Sequence, residues 1–233
     1  MDAKDRKDLR DRPIRTFGRT GGRALSPRQQ TLFETRLGHW RVPAPLPPRL
    51  DPQDLFITTG PVWLEIGFGG GEHLVAQAAA HPGTGFIGCE PFVEGVAKAI
   101  AGIEDNGLKN VRLWPDDARL LLEALAPGSV ERVFVLFPDP WPKRRQQKRR
   151  LVQPAFTAAL AQVLMPGGQV RFATDVASYA DEALLAFAGG GLFEWTATCA
   201  DDWRRPPKDH VTTRYETKKL GDCAPVWLDF RRV

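Results

Sequence analysis

A chain of 233 residues with 42% hydrophobic and 26% charged side chains is long enough for one well-filled α/β domain and an appendage. Its formal charge of +4 is unevenly placed, because residues 1 to 50 carry 12 Lys or Arg against 5 Asp or Glu, a net of +7 that leaves −3 for the remainder. Three cysteines without a CxxC pair argue against a disulfide scaffold or structural zinc, and no apolar run nears the ~20 residues of a membrane span, so a soluble cytoplasmic protein is expected.

The first 25 residues are rich in Arg and Gly, have few apolar anchors and read as a basic arm that is disordered when free. Ser26-Pro27-Arg28-Gln29 reads as a helix start, with Ser as N-cap, Pro at the first helical position and Gln placed for a capping box. A short helix to about Leu37 follows, and Pro43, Pro45, Pro47, Pro48 and Pro52 make a stiff connector up to residue 60.

From residue 61 to the C-terminus the pattern is strand, turn, helix, strand. Strands are predicted over Val62 to Ile66, Gly85 to Cys89, Val111 to Trp114, Arg132 to Phe137 and Gln169 to Ala173, with later ones near Phe193 to Thr198 and Val226 to Arg231. Ala- and Leu-rich helices fall between them, over Leu74 to Ala80, Val93 to Ile103, Ala118 to Leu125, Ala155 to Leu164 and Tyr179 to Ala188. The alternation predicts a Rossmann-like, doubly wound, mostly parallel seven-stranded sheet.

Three strand ends carry acids. Glu65-Ile66-Gly67-Phe68-Gly69-Gly70-Gly71-Glu72 joins the first strand to the first helix, where glycines let the backbone turn sharply beside a ligand. The loop departs from the dinucleotide fingerprint, because its third glycine position holds Glu72, whose charge opposes a pyrophosphate. Glu65 points instead to a ligand with a cationic end, such as the amino acid moiety of S-adenosylmethionine. Glu90 is spaced to accept from ribose hydroxyls and Asp117 from an adenine amino group, although each is also an ordinary strand-end turn residue.

After the fourth strand, Phe137-Pro138-Asp139-Pro140-Trp141-Pro142 holds a carboxylate and an indole between three prolines, and residues 143 to 150 add six Lys or Arg in eight positions. Charge at that density is a nucleic-acid footprint, or else a solvated basic loop. His39, His73, His81 and His210 are scattered, so no metal site is expected.

The glycine loop, Glu90, Asp116-Asp117-Ala118, residues 137 to 150, Thr174-Asp175 and Thr213-Arg214-Tyr215-Glu216, in this order, resemble the bacterial tRNA (guanine-N7-)-methyltransferase family from about residue 60 to the C-terminus. The resemblance implies methylation of guanine N7 in tRNA, at position 46 of the variable loop, with S-adenosylmethionine as cofactor, tRNA as partner and a monomer or homodimer as the assembly. It assigns Glu65, Gly67, Gly69, Glu90, Asp117 and Asp139 to the cofactor, with Asp139 also catalytic. Lys143, Asp175, Thr213, Arg214, Tyr215 and Glu216 go to the substrate, and Arg145, Gln146, Gln147, Lys148, Arg149 and Arg150 to RNA contact.

Asp139 is then expected to face the guanine Watson-Crick donors, the methionine amino group, or both. Asp175 and Glu216 are secondary readers of guanine N1 and N2, unless Asp175 only caps the following helix. Trp141 or Tyr215 stacks on an exposed base, or Trp141 packs the loop onto the body. One departure is a Gln146-Gln147 pair where family members often carry a His, so a mechanism needing an imidazole there does not transfer. Two other readings stand beside this one: a nucleotide-dependent oxidoreductase, and a non-catalytic RNA-binding module on the same core.

Overall fold

Ser26 caps the first helix as predicted. The structure, a computed structural model, describes residues 24–57 and 59–233, so the basic arm lies outside the described residues up to position 23. In helix α1 (Pro27–Trp40) the Ser26 hydroxyl accepts from the Gln29 amide while the Gln29 side chain accepts from Ser26 N, closing the capping box. The helix runs three residues past the predicted Leu37. Its last turns are held by Glu104, which accepts from Arg36 Nε and from Trp40 Nε1, both at 2.7 Å, and Leu32, Phe33, Leu37 and Trp40 join one of the apolar clusters.

The proline-rich stretch is laid against the body rather than spanning a gap. Val42 N donates to Leu113 O at 2.9 Å, Leu50 is bridged to Leu125, and Val42, Leu50 and Leu55 belong to the main core.

The body alternates β1 (Val62–Ile66), α2 (Glu72–Ala80), β2 (Gly85–Cys89), α3 (Val93–Asp105), β3 (Val111–Trp114), α4 (Ala118–Ala124), β4 (Val130–Leu136), α5 (Pro154–Val163), β5 (Leu164–Thr174) and α6 (Ala177–Ala188). It closes with β6 (Phe193–Trp195), α7 (Asp201–Arg204) and β7 (Val226–Arg232). The strands form one seven-stranded sheet in the order β3-β2-β1-β4-β5-β7-β6, parallel from β3 through β5, with β7 antiparallel to both its neighbours. This is the predicted doubly wound sheet.

Side-chain alternation sorts the two faces. Val62, Leu64, Ile66, Val133, Val135, Val170 and Phe172 meet α4, α5 and α6 through Leu121, Phe156, Leu160, Tyr179 and Phe187. The opposite face carries Phe86, Val111 and Leu113 under α1, α2 and α3. Strand order reverses between β1 and β4, which opens a crevice at their carboxyl ends.

Three differences from the sequence reading are local. β4 and β5 begin earlier than predicted, at Val130 and Leu164, because those residues pair across a bulge ahead of the regular ladder. The sixth strand stops at Trp195 rather than Thr198, since Asp202 Oδ2 accepts from the Thr198 and Cys199 amides and turns the chain into α7. The basic run contains a short 3-10 turn, Arg144–Arg149.

Candidate active site

The glycine loop after β1 has φ of +79° at Gly67, +56° at Gly69 and +83° at Gly71, a left-handed alternation that other residues resist. A Cβ at Gly67 or Gly69 would meet nothing within 4 Å, so these glycines serve the turn and leave open space above the loop. Gly95 on α3 has the opposite reason: a Cβ there would lie 2.2 Å from Gly69 O, so its absence lets the helix press against the loop.

Glu90, at the end of β2, holds that loop from the side. Its Oε2 accepts from Gly69 N at 2.9 Å and its Oε1 from Phe92 N at 3.0 Å. Burial pushes its carboxyl up to about 7 against these two bonds, and the negative charges of Asp139 and Glu65 add to the rise. Glu65, Glu90 and Asp139 thus form an electrostatic group around the β1, β2 and β4 ends. Glu65 is buried, and its Oε2 lies 2.8 Å from His73 Nδ1 on the first turn of α2. His73 was not singled out from sequence; the signal was a buried strand carboxylate needing a partner.

Asp117 caps α4. Its carboxylate accepts from Arg119 N at 3.0 Å, Arg119 Nε at 2.9 Å and Arg119 Nη2 at 2.7 Å. Its position at the β3 end is the expected one, but its carboxylate is committed to its own helix.

Asp139 is exposed at the mouth, and its charge acts on Glu90 to one side and on Tyr215 to the other. Two non-glycine residues in left-handed backbone bracket its segment, Phe137 at φ +49° and Trp141 at φ +42°. Such conformations cost about 1–3 kcal/mol each and persist where surrounding contacts over-determine them.

One such contact overturns an expectation. Arg150 was assigned to RNA, but its side chain is fully buried. Its Nε donates to Pro140 O at 2.8 Å, Nη1 to Ser178 O at 3.1 Å and Nη2 to Ser178 Oγ at 2.9 Å, and Nη1 pairs with Glu182 at 2.8 Å. The guanidinium also stands 4.7 Å from the Tyr179 ring centroid. Arg150 therefore ties the Asp139 loop to α6 and is closed to RNA. Lys143, Arg144, Arg145 and Lys148 are exposed, Gln146 and Gln147 half-buried. Arg149 lies 5.0 Å over the half-buried Trp141 ring, which therefore packs within the loop.

The chain from Thr213 to Glu216 crosses the β4 and β5 ends. The Tyr215 ring sits 5.7 Å from that of Phe137, and its hydroxyl faces Asp175 Oδ1 at 3.5 Å. Burial, then Asp175 and Asp139, push the phenol up to about 12, so it stays neutral. Asp175 does not cap α6; Asp222 accepts from Ala177 N at 2.8 Å instead. Glu216 Oε1 accepts from Thr213 N at 2.8 Å and Thr213 Oγ1 at 3.0 Å, and Oε2 lies 2.8 Å from His210 Nε2. Glu216, expected to read guanine, is engaged on both oxygens in building its own turn.

Among the described residues no group of three or more His, Cys, Asp or Glu could hold a metal, and no helix is long and apolar enough to cross a membrane.

Comparison with known proteins agrees with this geometry. A family model described as "Putative methyltransferase" matches residues 59–227. A tRNA (guanine-N(7)-)-methyltransferase of Hyphomonas neptunium is 60% identical over 218 residues, 94% of this chain and 99% of that protein. One of Rhodospirillum rubrum is 48% identical over 94% of this chain and 88% of its own length. In fold the chain resembles the solved 16S rRNA (adenine(1408)-N(1))-methyltransferase from Catenulisporales acidiphilia, with a TM-score of 0.56 and 16% identity over 79% of this chain and 92% of that one. Sheet order gives a Rossmann-like fold, and the matching family model gives the class, a methyltransferase. Within it, the chain belongs to the tRNA (guanine-N(7)-)-methyltransferase family.

Proposed function

We propose that this chain transfers the methyl group of S-adenosylmethionine to N7 of a guanine in tRNA, at position 46 of the variable loop, in the cytoplasm. The observation that carries the reading is the group of three carboxylates, Glu65, Glu90 and Asp139, beside an open glycine loop at the reversal of strand order. Such a group fits a ligand bearing a sulfonium and an ammonium. It opposes a dinucleotide pyrophosphate, which would also face Glu72 in the first turn of α2.

When bound, S-adenosylmethionine would supply a methyl group on a positively charged sulfur: the unprotonated lone pair of guanine N7 would form the new bond as the carbon–sulfur bond breaks, its electrons staying on sulfur as a neutral thioether, with no prior loss of a proton. The chain's task is then positioning and electrostatics. Glu90 holds the glycine loop and accepts from the ribose hydroxyls, while Glu65, oriented by His73, faces the ammonium. Asp139 and Asp175 accept from the guanine edge, and neutral Tyr215 lies between them.

Incubating unmodified tRNA with labelled S-adenosylmethionine and digesting to nucleosides is expected to give N7-methylguanosine. Labelled product of another kind, or none, would reject the reading.

Glu90 predicts a pH dependence. Its folded pKa of about 7 lies above the ordinary 4.5, so the stability it contributes is present below pH 4.5 and is lost as pH rises through 7, by up to about 3 kcal/mol. A bound cation reverses that loss. Affinity for S-adenosylmethionine is expected to rise about tenfold between roughly pH 6 and 8, and Glu90→Gln to flatten the profile; calorimetric titration at both pH values checks it.

The basic run should appear as salt dependence. If Lys143, Arg144, Arg145 and Lys148 neutralise about three to four phosphates, log K against log salt has a slope of roughly −3, and raising salt from about 50 to 200 mM lowers tRNA affinity about 50-fold. Replacing Arg144, Arg145 and Lys148 by Ala is expected to flatten the slope by about 2 units. An unchanged slope would make the run a solvated face.

A further inference from the structure

Two polar side chains on one face of α2 are turned into the protein. His73 and Gln77, one helical turn apart, are both buried. Gln77 has a plain structural partner, since its Nε2 donates to Asp209 O at 2.7 Å. His73 instead meets the carboxylate of Glu65, the acid near the end of β1.

The pair divides Glu65 between protein and ligand. An ionised carboxylate only accepts, so His73 Nδ1 donates to Oε2 across their 2.8 Å. Among the described residues the carboxylate has no other partner, and Oε1 is not sealed from solvent. One oxygen is held and the other is left for a donor from outside, on a side chain only 5% exposed.

His73 has little freedom to move away. Its neighbour Leu74 is fully buried, and a Cβ on Gly88 of β2 would fall 2.5 Å from Leu74 Cδ2, so the first turn of α2 lies hard against the sheet. A Cβ at Gly71, just ahead of that turn, would fall 2.8 Å from Ala99 Cβ on α3. The His73 ring stands edge-on to Phe134 with centroids 4.8 Å apart, and Phe134 pairs with Glu65 across β1 and β4. The same contacts therefore set the imidazole, the carboxylate and the end of the glycine loop.

We infer that His73 is a positioning residue that makes the cofactor site demand an ammonium: by fixing Glu65 Oε2 it leaves Oε1 for the amino acid end of the ligand, and a ligand without that end gains nothing from the pair. The inference rests on the reading that the cofactor is S-adenosylmethionine. A carboxylate already oriented and largely desolvated binds an ammonium more strongly than one free to turn into water, because its ordering precedes the ligand. The ammonium takes no part in methyl transfer, so its contact is equally strong before and during the reaction and sets affinity rather than turnover.

The test is calorimetric titration of wild type, His73→Ala, His73→Asn and Gln77→Ala with S-adenosylmethionine, S-adenosylhomocysteine and methylthioadenosine, which keeps the nucleoside and sulfur but lacks the amino acid end. His73→Ala is expected to weaken the first two by the same factor, about 10- to 50-fold, and to leave methylthioadenosine within about twofold of wild type. His73→Asn, whose amide can donate where Nδ1 did, should recover most of the loss. Gln77→Ala removes a buried bond from the same helix face and should leave the relative affinities of the three ligands as in wild type. Should His73→Ala not fold, His73→Met fills the space without a donor and carries the same expectations. Equal weakening of all three ligands, unchanged affinity for the two that carry an ammonium, or the same shift in preference in Gln77→Ala would overturn the inference. Failure of the methyltransferase reading shows separately, as wild-type protein that binds neither S-adenosylmethionine nor S-adenosylhomocysteine.

Discussion

Asp139→Ala is expected to lower kcat by about 10² to 10³ while changing tRNA affinity and S-adenosylmethionine affinity far less. The guanine ring gains positive charge as its N7 takes the methyl group, so a carboxylate beside the ring is worth more in the transition state than in the bound complex. At an effective dielectric near 20, one charge about 5 Å from another contributes about 3 kcal/mol, the size of that rate loss. Asp139 stands exposed at the β4 end, where its charge acts on both Glu90 and Tyr215. Asp139→Asn separates charge from shape: it keeps an acceptor and loses the charge. It is expected to stay within a few fold of the Ala variant, and an Asn variant that kept most of the turnover would reduce Asp139 to a hydrogen-bonding guide. Single-turnover rates at saturating tRNA and S-adenosylmethionine make the comparison.

The regular part of the fold was legible because its signals are local. β1, β2 and β3 begin and end on the predicted residues, each closed by Gly67, Glu90 or the Pro115-Asp116-Asp117 turn, and the Ser26 capping box formed as written. Elements set by distant partners were not. α1 outran its predicted end because Glu104, 64 residues beyond Trp40, accepts from two of its side chains. The proline stretch looked like a spacer because its Leu and Val anchors are single residues, whose burial depends on strand and helix ends far along the chain.

The site divides in the same way. Strand-end acids at 65, 90 and 139 are visible as residues, but the partners of Glu65 and Glu90, His73 and the Gly69 and Phe92 amides, emerge only when the turn is built. Six cations in eight residues read as one uniform patch, yet the chain drives the last of them into the protein. Nothing within residues 143 to 150 marks that one, since its partners on α6 lie 28 and 32 residues away. Glu216 is the converse: its partner Thr213 lies only three residues before it, so the turn it closes is local, although the resemblance assigns Glu216 to the guanine.

Arg150→Ala should therefore fail in a way that a lost RNA contact would not. Removing one partner of a buried, fully bonded ion pair costs about 3–5 kcal/mol, because Pro140 O, Ser178 O and Glu182 lose their donor together. A Tm lowered by about 8 to 15 °C is the expected reading for a chain of this size. Below that Tm the folded variant should still bind S-adenosylmethionine, because Glu90 and the glycine loop are held from β2 and α3. Its kcat is expected to fall at least tenfold, since the left-handed backbone at Phe137 and Trp141 loses the contact that keeps Pro140, and with it Asp139, in place. The salt slope of tRNA binding should stay at the wild-type value, because a fully buried guanidinium releases no counterions. Arg150→Lys keeps the charge but replaces a planar fork by a single ammonium, so it cannot serve Pro140 and Ser178 together, and only partial rescue of Tm and kcat is expected. A variant with wild-type Tm and a slope flattened by about 0.7 to 0.9 would return Arg150 to the RNA surface.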